Sequence, residues 1–220
     1  MKIKQLFFLL FVTTFFAAPL SAQDNVKKAK SILDKLSKTY KNHKNIKAVF
    51  TITTENPDKS KQSHNGTIWV KKKAFKIEMA DQEIVCDGTT IWTWQKEVNE
   101  VQIKKYTPSS REIQPSEIFT LWENGFDYVW SGNATVGGKK LDVIDLVPQS
   151  GKEGKDYSKV KLNVDAATST IVSCTIIKKN GVKITYTINS QVTNQRISKS
   201  HFKMDVEAKR KAGAEVIDLQ

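Results

Sequence analysis

The chain has 220 residues, 39% of them apolar and 26% charged, with a formal net charge of +12. That length suffices for one domain with a substantial core. Beyond the N-terminus no stretch approaches the roughly 20 apolar residues that a membrane span needs, and two widely separated cysteines make neither a disulfide framework nor a zinc motif.

Lys2 and Lys4 precede an apolar run from Leu6 to Ala18, and Pro19-Leu20-Ser21-Ala22 ends on a small residue. This reads as a secretory signal peptide, residues 1–22, cut after Ala22. Gln23 follows the cut, so no lipid is expected on the new terminus. Residues 23–220 form the mature domain, with a net charge of +10 once the two leader lysines are gone. Export argues against nucleic acid as a partner. An anionic membrane surface or an acidic partner is the sharper reading of the charge, and plain solubility the blander one, because the lysines are spread along the chain. Export also permits a bridge between Cys86 and Cys174. Both lie in strand-like runs, where buried free thiols are equally ordinary.

Residues 24–43 read as a helix. Asp24 is its predicted cap, and Val26, Ala29, Leu33, Leu36 and Tyr40 form one apolar stripe at helical spacing. The lysines around that stripe would allow contact with a membrane, but docking on the protein's own sheet is the favoured reading. From residue 46 the period changes to two: Ile46, Ala48, Phe50 and Ile52 alternate with Lys47, Val49, Thr51 and Thr53. Residues 55–65 are polar and read as a long turn. Ile68 and Val70 share a face opposite Trp69, and Phe75, Ile77 and Met79 alternate with Lys76, Glu78 and Ala80. Strands over 82–86, 89–95 and 100–106 complete an antiparallel meander, with Asp87-Gly88 as a hairpin signal. Trp92 and Trp94 lie on one face of the 89–95 strand.

The alternation stops at 107–126. Pro115 suits the start of a short helix and Gly125 its end. Ile118, Phe119, Leu121 and Trp122 are too many apolar groups for an exposed helix of that length, so it must bury against something. Phe126, Tyr128 and Trp130 add to the aromatic load. Strands resume at 141–147, 157–165, 169–178 and 181–191, with a loop at 149–156 between two of them. A last pairing is expected near 199–204 with Phe202 inward, and the tail 207–220 finds no place. The order is mainly β with helices, and a sheet of so many strands must curl into a closed or half-closed barrel.

The chemistry-bearing residues form no catalytic pattern. His43, His64 and His201 lack ligand spacing, and the chain holds no H-E-x-x-H, G-x-S-x-G or phosphate-binding glycine loop. No enzyme activity, cofactor or metal is expected. Asn65-Gly66-Thr67 and Asn133-Ala134-Thr135 fit a glycosylation sequon, relevant only in a eukaryotic secretory pathway.

The stretch 66–103, "GTIWVKKKAFKIEMADQEIVCDGTTIWTWQKEVNEVQI", resembles the outer-membrane lipoprotein carrier family, called LolA-like. Gly66, Trp69-Val70-Lys71-Lys72, Phe75, Asp87-Gly88 and Trp92 stand where that family has its glycine, W-V-K, aromatic strand and D-G-x-x-x-W. The basic amphipathic helix with "KAVFTITT" and the ending "AGAEVIDLQ" are similar too. The resemblance implies an incompletely closed antiparallel β-barrel of about eleven strands, with a helical lid over an apolar cavity. It implies a soluble, monomeric periplasmic carrier. Such a carrier takes lipoproteins by their acyl chains from an inner-membrane release complex to the outer membrane or an acceptor there. A lipid or lipoprotein sensor acting on an envelope-stress regulator is the alternative, and an exported β-protein with a filled core and no ligand is the third reading, which composition alone favours.

On this reading, parity puts Ile46, Phe50, Ile52, Ile68, Val70, Phe75, Ile77 and Met79 on the cavity wall. Ile118, Phe119, Leu121 and Trp122 form the lid or plug. Lys72 shares parity with Ile68 and Val70 and would point inward, with a solvated strand-end lysine as the equal alternative. The family usually has arginine at that position, where it holds the lid through hydrogen bonds to helix backbone. Lysine lacks the planar fork, so the latch here is expected to be looser or made elsewhere.

Overall fold

The computed structural model describes residues 20–107, 115–149 and 156–220. Most of the expected signal peptide, residues 108–114 and most of the expected 149–156 loop lie outside the described residues.

Helix α1 spans Leu20–Lys41. It starts before Asp24, so Asp24 sits inside the helix and does not cap it, and the expected cut falls in the first turn. Ala29, Leu33, Leu36 and Tyr40 are buried as their spacing requires, but Val26 is 44% exposed. At 100° per residue Val26 lies on the margin of the stripe, whose centre runs between Ala29 and Tyr40.

Twelve strands make one sheet: β1 (Ile46–Glu55), β2 (Lys61–Lys71), β3 (Ala74–Met79), β4 (Gln82–Cys86), β5 (Thr90–Gln95), β6 (Glu100–Lys105), β7 (Phe126–Val136), β8 (Lys139–Pro148), β9 (Tyr157–Asp165), β10 (Thr170–Lys178), β11 (Lys183–Thr193) and β12 (Glu215–Asp218). Their order is β12-β6-β5-β4-β3-β2-β1-β11-β10-β9-β8-β7. Sequence neighbours pair throughout, except that β1 pairs with β11 and β12 runs parallel to β6. The sheet stays open, with β7 and β12 as its edges.

Three stretches differ from the sequence expectation. The supposed loop 55–65 shrinks to 56–60, because polar residues extend both strands. Thr51 Oγ1 donates to Asn65 Oδ1 at 2.8 Å, and the Thr53 and Ser63 hydroxyls bond at 2.9 Å. Next, β7 was not foreseen, because a bulge between Trp130 and Gly132 breaks its alternation. At the C-terminus, Lys199–Phe202 is a 3₁₀ turn and not a strand, although Phe202 is buried as expected. The unplaced tail then forms helix α2 (Val206–Lys211), capped by Asp205 accepting from the Ala208 amide at 2.9 Å, and strand β12. The tail thereby raises the strand count from about eleven to twelve.

The core divides in two. The larger part fills the concave side, between the sheet, α1 and the 3₁₀ turns Pro115–Phe119 and Leu121–Glu123. The smaller gathers Val85, Trp92, Val101, Met204 and Ala214, with Trp94 and Val216 packed against it. Trp92 and Trp94 therefore pack beneath the C-terminal segment and lie outside the concave core.

Candidate functional site

The interior follows from strand parity. Phe50 and Ile46 on β1, Ile68 on β2, and Phe75 and Ile77 on β3 are buried in the main core, while Ile52, Val70 and Met79 pack against it half-buried. The register brings them side by side: Ile46 opposite Val70, Ile68 opposite Ile77, Val70 opposite Phe75. All eight residues expected on the cavity wall thus belong to one apolar assembly.

Gly66 opens that wall. It stands opposite Phe50 in the ladder, and a Cβ there would lie 2.6 Å from Phe50 Cζ. Only glycine lets the phenyl ring lie over the β2 backbone at this place. Gly88 serves a turn instead. With φ +101° it completes the Asp87 turn, where Asp87 Oδ1 accepts from the Thr89 and Thr90 amides at 2.8 and 2.9 Å.

The segment expected to act as the plug packs into the interior. Ile118, Phe119, Leu121 and Trp122 are all buried, from 3% to 8% exposed, in the same cluster as the wall. Thr120 interrupts them, so they sit on two short 3₁₀ turns and not on one helix. Gly125 follows with φ +81° and redirects the chain into β7. Two polar contacts tie the plug to α1: Trp122 Nε1 donates to Ser37 Oγ at 2.8 Å, and the Lys41 ammonium lies 2.9 Å from Glu123 Oε1. The Tyr40 ring packs against Phe119 and Trp122, with centroids 5.3 and 6.3 Å away.

Tyr40 also anchors the helix to the sheet. Beyond Ser173, β10 has no β11 partner, and the Tyr40 hydroxyl accepts from the Ile171 amide there at 3.1 Å. Burial pushes this phenol up to about 12, so it stays neutral.

Packing around Ile118 and Phe119 is tight. The void left among Phe50, Ile68, Ile118, Phe119, Tyr186 and Ile188 measures about 10 Å³, room for about one water. Small-molecule pockets occupy roughly 300–1,000 Å³, so this void as it stands is too small for a hydrocarbon chain. Four buried apolar side chains hold the plug at about 1.5–3 kcal/mol each, or roughly 6–12 kcal/mol together. Tyr186 and Ile188 were missed at the sequence level, although Ile184, Tyr186 and Ile188 show the same alternation that identified β1 and β3.

Lys72 is not on the wall. β2 ends at Lys71, and Lys72 lies exposed in the β2–β3 turn with φ +55°. Strand parity ends with the strand, so the inward orientation does not follow. Its ammonium has no partner among the described residues, and the plug is held by Ser37 and Lys41 instead. Cys86 and Cys174 are buried free thiols, and burial pushes the Cys174 thiol up to about 12. Among the described residues no His, Cys, Asp and Glu cluster could hold a metal ion, and no helix is long and apolar enough to cross a membrane.

The fold has solved counterparts. An uncharacterized conserved protein from Thermus thermophilus superposes with a TM-score of 0.56 at 11% identity, covering 86% of this chain and 98% of that one. A putative outer membrane lipoprotein-sorting protein domain from Vibrio parahaemolyticus gives 0.49 at 8% identity, over 83% and 99% of the two chains. A LolA superfamily protein from Nitrosomonas europaea gives 0.45 at 13% identity, over 81% and 98%. No curated protein matches the sequence. The profile of the outer membrane lipoprotein carrier protein LolA matches residues 41–205, three quarters of the chain and nearly the whole sheet, and the chain belongs to that family.

Proposed function

We propose that this protein is a periplasmic carrier that buries lipoprotein acyl chains in its concave interior and moves lipoproteins from the inner to the outer membrane. Its first 22 residues act as a cleaved signal peptide. The mature domain works as a monomer between an inner-membrane release complex and the outer membrane or an acceptor there. The supporting observation is an apolar interior covered by a segment of the protein's own chain, with a void of only about 10 Å³ left where Ile118 and Phe119 meet Phe50, Ile68, Tyr186 and Ile188.

The energetics suit a carrier. A sixteen-carbon chain resists entering water by roughly 12 kcal/mol, at about 0.8 kcal/mol per CH₂. Burial of the plug is of similar size, on the order of 6–12 kcal/mol. Exchanging plug for acyl chain therefore costs only the difference between two apolar packings, and the reverse exchange can release the cargo. No bond is made or broken.

Two experiments test this reading. The purified protein should bind a fluorescent fatty-acid probe, and Phe50→Glu or Ile77→Glu should abolish binding in variants that remain folded. A wild-type protein that leaves the probe in solution would overturn the cavity. In the source cell, depletion should strand lipoproteins in the inner membrane. Normal sorting with an altered envelope-stress response would identify a sensor instead.

A further inference from the structure

One end of the barrel gathers basic residues that have no carboxylate partner among the described residues, a grouping its sequence conceals. β1 begins at that end, β2 runs into it and β3 leaves it. The β4–β5 turn, the end of β6 and the end of β11 lie there as well. The link after β11 is stapled to the start of β1: the Lys44 amide donates to Asn194 Oδ1 at 2.8 Å, and Asn45 Nδ2 donates to the Gln195 carbonyl at 2.8 Å. Lys71 Nζ reaches the Ile197 carbonyl at 3.2 Å. The β2–β3 turn touches the β4–β5 turn, where a Cβ on Gly88 would lie 3.2 Å from Lys73 Cβ. Lys105 stands opposite Thr90 at the far side of that turn.

This continuous end carries Lys44, Lys72, Lys73, Lys105, Arg196 and Lys199, all exposed and none with a carboxylate partner among the described residues. Acids stand at this end too, among them Asp87, Asp165 and Asp218. Asp87 and Asp165 are engaged in their own turns, Asp165 accepting from the Ala167 and Thr168 amides. Asp218 accepts from the Gln220 amide at 3.1 Å. The opposite end is mixed in sign. Glu55 there lies within 3.5 Å of Lys59, 3.1 Å of Lys61 and 3.2 Å of Lys183, and Asp58 accepts from Ser60.

We propose that the cationic end docks the protein on an anionic phospholipid surface. Short turns from four or more parts of the chain present flexible point charges over a broad face. No concave, geometrically fixed site holds them, so the arrangement suits a fluid sheet of phosphates better than one shaped ligand. Each basic residue near such a surface adds about fivefold to partitioning at low salt, and the attraction fades beyond about 10 Å at 0.1 M salt. The proposal does not depend on the interior taking acyl chains.

Cosedimentation tests it. The purified protein should pellet with vesicles of equal parts phosphatidylcholine and phosphatidylglycerol, not with phosphatidylcholine alone, and should be released by salt. Lys72→Gln/Lys73→Gln/Lys199→Gln should weaken partitioning by roughly a hundredfold. The same loss of charge at the other end, Lys59→Gln/Lys61→Gln/Lys179→Gln, should weaken it far less. Circular dichroism and thermal midpoints confirm that both variants are folded. Equal losses in the two variants would overturn the docking end in favour of diffuse charge. Binding to polyglutamate without binding to anionic vesicles would assign the patch to an acidic protein and overturn it too. Vesicle binding that ignores both salt and substitution would overturn it as well.

Discussion

Truncating Phe119 to alanine separates a plug from a wall. Phe119 is 3% exposed and its ring packs 5.3 Å from that of Tyr40. Losing a buried phenyl ring costs the empty protein about 3–5 kcal/mol. If the plug leaves the interior on loading, as proposed, part of this loss is absent in the loaded state. Affinity for hydrocarbon is the difference between the two states and must rise by that part. If half the loss is relieved, the gain is about 1.5–2.5 kcal/mol, or roughly ten- to seventyfold in Kd. Phe50→Ala is the contrast, because Phe50 stands on β1 in both states and its truncation offers no such relief. Urea unfolding gives the stabilities and displacement of a fluorescent fatty acid gives the affinities. A Phe119→Ala protein that is less stable but binds no tighter would refute the exchange of plug for ligand.

Other expectations follow from single contacts. Tyr40→Phe strips the acceptor from the Ile171 amide where β10 has no β11 partner, which should cost about 1–3 kcal/mol in urea unfolding. Gly66→Ala would place a Cβ 2.6 Å from Phe50 Cζ and 3.1 Å from the Glu78 carbonyl oxygen. It should cost about 1–3 kcal/mol by displacing the ring and weaken probe binding. The Glu55 carboxylate accepts from Lys61 and Lys183, which hold it at about 2, below its ordinary 4.5. Its folded value lies below its unfolded one, so its contribution to stability is complete above about 4.5 and is lost as the pH falls through about 2. The urea midpoint of Glu55→Gln should lie below that of the wild type at neutral pH and converge with it near pH 2.

The concave wall was legible because β1 and β3 are apolar on one face and polar on the other, so period two assigns each residue a side. The buried segment after Pro115 was legible for a cruder reason: Ile118, Phe119, Leu121 and Trp122 exceed what a short exposed segment can carry. Its form was not, since only the packing of both turns against α1 decides between a helix and two 3₁₀ turns. Lys72 shows where parity fails, because the strand ends one residue earlier and the backbone turns left-handed. The outer pair Trp92 and Trp94 could be placed on one face of β5, but what covers that face is set by Met204, Ala214 and Val216, more than a hundred residues away. Strand β12 carries only Val216 and Ile217 between Glu215 and Asp218, too short for periodicity to register, and it exists through pairing with β6.

Carriage of acyl chains as proposed requires a plug that moves. Its most direct test is the distance between spin labels at Thr120, exposed on the plug, and Lys38, exposed on α1, in a Cys86→Ala/Cys174→Ala background. Saturating palmitate should lengthen and broaden that distance, and removing the palmitate should restore it. An unchanged distance with palmitate demonstrably bound would contradict the account.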